Sequence, residues 1–231
     1  MKDDVDVHEW VRCLINEVSE KWERSENKYD FSEQGFRVFD SHVYPCPDLM
    51  VIGHFPAVEN KLSAGEYDFP LPGVQEKLYH DSKIERKMKY LFEGVDRDEW
   101  LEKSVKLNLI FFRSGDEAQW EGMEKRVRDD LETFCFMKVN DIIDTLKPRY
   151  IVTKGLKVFD ILIRSVLMGC DDPEVKTGVG GRKIYARSRY GLVHIIGLTH
   201  LAKDRFSYPD WNDMKKYLKA DLKELEQMCL H

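Results

Sequence analysis

In Asp48-Leu49-Met50-Val51-Ile52-Gly53-His54-Phe55-Pro56-Ala57, four consecutive apolar residues follow Pro45 and Pro47 and stop at a glycine. So short and uniformly apolar a run suits a strand buried on both faces, because a half-exposed strand would alternate. Gly53 permits a sharp exit from such a strand, and Pro56 sets the path of the chain beyond it. The same design recurs downstream. Lys106 to Phe112 reads as a second strand ending at Arg113-Ser114-Gly115, Tyr150 to Thr153 as a third followed by Gly155, and Val193 to Gly197 as a fourth.

Between these strands the apolar spacing changes to three and four residues, the period of a helix with one buried face. Val7, Trp10, Val11, Leu14, Ile15, Val18 and Trp22 open the chain in this way, and helices are predicted near 75–92, 116–146, 158–166 and 209–228. Pro148 closes the third of these helices, and Gly178 to Gly181 turns a hairpin that carries Ile184, Tyr185 and several arginines. Strands alternating with helices imply an α/β fold with three α/β/α layers around a mainly parallel, four-stranded central sheet joined by right-handed crossovers. A chain of 231 residues has room for one such core, so residues 1–231 read as a single domain. Ligands of such sheets bind where the strands end, which brings together 53–57, 112–114, 153–155 and 199–202.

Composition narrows the function classes. No apolar run approaches the ~20 residues of a membrane span. The acidic start, Met1 to His8, carries no export signal, so the sequence reads as cytoplasmic. Five scattered cysteines, Cys13, Cys46, Cys135, Cys170 and Cys229, fit neither a disulfide framework nor paired metal-ligand spacing. No metal or cofactor is expected, and no obligatory protein partner is evident. The net charge is -6, yet Lys176 to Arg205 holds seven basic residues against the single acid Asp204. That window is a candidate phosphate-facing surface, although charge runs are commonly just solvated faces.

Three of the converging segments resemble the uracil-DNA glycosylase superfamily. Gly53-His54-Phe55-Pro56-Ala57 is similar to its first motif, the strand bearing Asn108 to the one whose asparagine reads a base edge, and Thr199-His200-Leu201-Ala202 stands at the place of its histidine motif. Lys147-Pro148-Arg149-Tyr150 also resembles the proline-led strand between them, so order and spacing agree over about Leu49 to Phe206. The resemblance implies a uracil-DNA glycosylase-like fold, DNA as partner, and removal of a damaged or modified base that has been flipped out of the stack. Two departures stand out. Phe55 occupies the place of a polar residue that positions water, and an apolar ring cannot activate water. The histidine motif lacks its proline and serine.

On this reading His200 stabilises the departing base, where negative charge develops as the N-glycosidic bond breaks. His54 is a second catalytic candidate, and His194 lies inside a strand and is structural. Asn108 has the donor and acceptor needed to read a base edge. Phe69 and Phe55 are aromatic candidates for the base pocket, with core packing as the alternative for Phe69. Among Glu59, Glu66 and Asp68, all of which also read as solvated loop acids, Asp68 is taken as the water-activating carboxylate. Arg113, Ser114, Arg187, Arg189, Lys203 and Arg205 are candidates for the DNA backbone. The function expected is a DNA glycosylase, with modified foreign DNA as one suitable target. The alternatives are a catalytically inactive DNA-binding module of the same fold, and an unrelated nucleotide-binding enzyme. The latter is disfavoured because Gly178-Val179-Gly180-Gly181 neither follows a strand directly nor opens a clear helix.

Overall fold

The computed structural model describes residues 6–29, 35–56, 83–95, 97–113, 117–201 and 206–228. In chain order these hold α1 (Val7–Tyr29), β1 (Leu49–Gly53), α2 (Lys83–Glu93), α3 (Asp98–Glu102), β2 (Val105–Asn108), α4 (Glu117–Gly122) and α5 (Lys125–Leu146). They continue with β3 (Tyr150–Thr153), α6 (Leu156–Ile161) running into a π-helical turn, β4 (Glu174–Thr177), β5 (Lys183–Tyr190), β6 (Val193–Leu198) and α7 (Tyr208–Met228).

The protein is α/β, and the strands among the described residues form one sheet of order β2-β1-β3-β6-β5-β4. The four strands anticipated from the sequence are neighbours in it, and every pairing among them is parallel. The sheet is nevertheless mixed and six-stranded rather than four-stranded, because β5 pairs antiparallel with β6 and β4 antiparallel with β5. The physical reason lies in β5, whose Ile184, Tyr185 and Ala186 are buried and extend the core, so the hairpin joins the sheet. The outer strand β4 carries Glu174 and Lys176, charges that blunt an open edge.

Alternation along the strands separates two cores. Met50, Ile52, Leu107, Ile151 and Ile195 face one way, against Val11, Leu14 and Val18 of α1, Leu131, Val139 and Ile142 of α5, and Phe159 of α6. Leu49, Val51, Tyr150, Val152 and Ile196 face the other way, against Met88, Leu91 and Phe92 of α2 and Met214, Leu218 and Leu222 of α7. Burial on both faces is why these strands show unbroken apolar runs.

Two sequence boundaries move. The predicted helix 116–146 is two helices, broken at Met123 and Glu124, where Glu124 has extended backbone angles (φ -52, ψ 127) and Gly122 ends the shorter piece. The second strand stops at Asn108, after which the amides of Leu109 and Ile110 bond to the carbonyls of Gly53 and His54. Phe112 is thereby carried out of the ladder to bridge Phe36. Among the described residues no helix is long and apolar enough to cross a membrane.

Candidate functional site

The strand order fixes where a crevice must open. From β1 the chain goes to β2 on one side and then returns across β1 to β3, so the connections diverge between β1 and β3. In open α/β sheets that divergence at the carboxyl ends leaves room for a ligand. Here the walls are Gly53 to Pro56 after β1 and Thr153 to Gly155 after β3, with Asn108 on the β2 flank and His200 on the β6 flank.

Asn108 is paired in register with Gly53 across the β1–β2 ladder. A Cβ on Gly53 would lie 2.3 Å from Asn108 Oδ1, so the amide sits directly over that glycine's backbone. On its other side Asn108 Nδ2 donates to Asp40 Oδ2 at 3.0 Å. The amide is 3% exposed and clamped between Asp40 and Gly53, which makes it a positioning group for the β1 exit. Asp40 escaped the sequence reading because it lies in a stretch without periodicity. Its segment runs beside β2, with Phe39 bridging Leu107 and the Asp40 amide bonding to Lys106 O. Asp40 Oδ1 lies 3.5 Å from Arg37 Nη1 and accepts no hydrogen bond among the described residues. Lys154 was also missed as a site residue, and its Cδ would be 3.7 Å from a Cβ on Gly53, which brings an amine-bearing chain beside the crevice wall.

His200 is half-buried, and its Cδ2 would be 3.7 Å from a Cβ on Gly155. Gly155 has φ 155 and ψ 145, a region essentially closed to other residues, so the turn after β3 and the approach of His200 both depend on glycine. The next residue is anchored too, since Lys87 Nζ donates to Leu201 O. His200 and Asn108 share the same edge but not the same strand neighbourhood. Three strand spacings separate β2 from β6, about 14 Å at ~4.8 Å each, so a ligand touching both must span the crevice.

His54 and Phe55 leave β1 with their ring centroids 4.1 Å apart, and Phe55 meets Trp120 edge-on at 5.4 Å. Phe55 thus packs against the α1–α5 core as well as bordering the crevice. His194 contacts the Tyr150 ring at 5.6 Å at the opposite, amino end of the parallel strands. Asp68, Phe69, Ser114, Lys203 and Arg205 lie outside the described residues.

The arginines chosen for DNA backbone are placed elsewhere. Arg113 is 4% exposed and lies in the interior. Arg187 Nη1 donates to Asp221 Oδ1 at 2.7 Å and Nε to Glu174. Tyr185 Oη donates to the other oxygen of Asp221 at 2.6 Å. The charges answer one another. The bond from Arg187 holds the Glu174 carboxyl below its ordinary range, while burial and then Asp221 push the Tyr185 phenol well above its own. Arg189 pairs with His194 and so lies toward the amino ends, away from His200. A cleft of about 460 Å³ opens there, lined by Asp171, Glu174, Arg187, Arg189, His194 and Asp221 among others.

Burial raises the Cys135 thiol to about 12 and the Cys170 thiol to about 11, so neither is a nucleophile. Compared with known proteins, the sequence matches no family model and no curated protein.

Proposed function

We propose that this protein is a DNA glycosylase of the uracil-DNA glycosylase type, acting on a damaged or modified base flipped into the crevice between β1 and β3. The observation that carries the reading is the arrangement at the carboxyl edge. The glycine-proline exit of β1 is flanked on one side by Asn108 and on the other by Gly155 and His200. In the reaction, water oxygen bonds to the sugar's anomeric carbon as the N-glycosidic bond breaks. The bonding pair leaves with the base, and a proton from water ends on the base. His200 supplies a hydrogen-bond donor where that negative charge develops. Asp68, from the loop after the first motif, is the carboxylate proposed to take the proton from water. Asn108 acts with Asp40 to hold the β1 exit against which the base would rest.

One observation favours a second reading. Phe55 is anchored on Trp120, so the place where a polar residue would position water is filled by a ring packed against the core. A binding module that kept the crevice and lost hydrolysis would look like this. The two readings separate when the protein is incubated with oligonucleotides bearing a panel of modified bases and abasic sites are cleaved with alkali. Strand breaks at one modified base support the enzyme. Retarded migration without breaks across the panel supports the binding module.

A further inference from the structure

Beside the His200 loop, on the α2–α7 face of the sheet, three aromatic rings stand in a row. Phe206 meets Trp211 at 5.5 Å and 83°, and Trp211 meets Tyr90 at 5.7 Å and 85°, each contact edge to face. Cations line the row. Arg182 lies over Phe206 at 5.7 Å, Lys87 lies 5.9 Å from Phe206 and 5.6 Å from Trp211, and Lys215 covers Tyr90 at 3.3 Å. Lys215 reaches that ring by crossing Gly94, where a Cβ would come within 2.7 Å of its Cδ and push the lysine aside. The acid Asp210, at the start of α7, interacts with Arg182 and caps the helix. It accepts from the Ser207 amide and hydroxyl and from the Val179 amide, bonds that hold its carboxyl below the ordinary range. α2 and α7 add Arg86, Lys89, Lys216 and Lys219 to the same two helices.

We propose that this ladder of rings and cations binds single-stranded DNA and leads it toward His200. Long basic side chains such as Arg182 and Lys215 can swing to phosphates, and Tyr90, the most exposed ring of the row, then offers a face to a base, while Phe206 and Trp211 rest against the core. Stacking on aromatic rings combined with backbone charge is the chemistry of sequence-tolerant single-strand binding. A duplex hides its base faces and offers only edges and phosphates, so the rings favour an unpaired strand. The ladder is joined to the crevice through Lys87, which touches two of the rings and also holds the carbonyl next to His200. The choice of DNA over RNA rests on the function proposed for the carboxyl edge.

The test is fluorescence anisotropy of the full chain with labelled oligothymidylate of about fifteen nucleotides, a duplex of equal length and oligouridylate, each titrated with salt. Oligothymidylate should bind tightest. Arg182→Gln with Lys215→Gln should weaken it about tenfold and flatten the salt slope by about 1.4, the share of two phosphate contacts on a single strand. Tyr90→Leu, at a ring 42% exposed, should weaken binding about fivefold with the slope unchanged, because stacking releases no counterions. Thermal melts check that each variant folds, and Tyr90→Leu decides alone should the double variant not. Unchanged affinity in both variants, or duplex bound as tightly with the same dependence, overturns the proposal. Tighter binding of oligouridylate overturns the choice of DNA. None of these measurements involves base excision, so a failed excision assay and a failed ladder are told apart.

Discussion

The carboxyl edge of the parallel strands and the hairpin flank formed by β4, β5 and α7 both gather polar side chains, but they handle charge in opposite ways. On the flank, Arg187 lies between Glu174 and Asp221, and Asp221 also takes the Tyr185 hydroxyl. Arg187 there has a carboxylate on either side, which suits holding α7 on the sheet. At the carboxyl edge His200 rests against a glycine turn, Asn108 is held by one carboxylate, and Lys154 comes up beside Gly53. A region whose charges cancel stabilises a fold. A region whose polar side chains are spread over the ends of β2, β3 and β6 leaves room for a ligand between them.

The sharpest way to break this contrast is His200→Ala. Single-turnover excision of the accepted base should fall roughly a hundred- to a thousand-fold, about 2.7–4 kcal/mol, with stability changed by less than about 0.5 kcal/mol. A variant that melts early instead would make His200 part of the scaffold. Asp221→Ala should do the converse. Losing the acceptor of a buried phenol and of a guanidinium should cost about 3 kcal/mol in denaturant unfolding, with affinity for DNA unchanged. Weaker DNA binding with unchanged stability would mean that the flank carries function after all.

Gly53→Ala probes the junction of scaffold and site. Its methyl meets Asn108 Oδ1 at 2.3 Å, so the amide must leave Asp40 or β1 must shift, a strain of about 2 kcal/mol. Asn108→Ala in the same background should relieve part of that loss, and a double-mutant cycle with no coupling would separate the two residues. The smallest effect concerns pH. Ser207 and Asp210 form reciprocal caps at the start of α7, which keep the Asp210 carboxyl below its ordinary value near 3.8. Because the folded value is the lower one, this stabilisation is full above about pH 4 and fades as the pH falls through the folded value. Asp210→Asn should flatten the acid limb of the stability curve by at most about 1 kcal/mol. An unaltered limb would remove the cap from the account.

The four parallel strands and the long helices at either end of the chain were readable in the amino-acid order, whereas α3 and the break between α4 and α5 were not. Buried strands announce themselves as apolar runs such as Leu49 to Ile52, and helices by three- and four-residue spacing. Burial on one or two faces is a local constraint written into consecutive residues. The hairpin at Gly178 was visible from its run of turn glycines, though not that it would join the sheet. Only the tertiary structure placed Arg187 against Asp221, 34 residues away, and Asn108 against Asp40, 68 residues away. The window of basic residues from Lys176 to Arg205 looked unopposed because both acids that engage Arg187 lie outside it. Periodicity records which side of an element is buried. It carries no information on which distant group will meet a given charge, and that is settled by how the helices dock on the sheet.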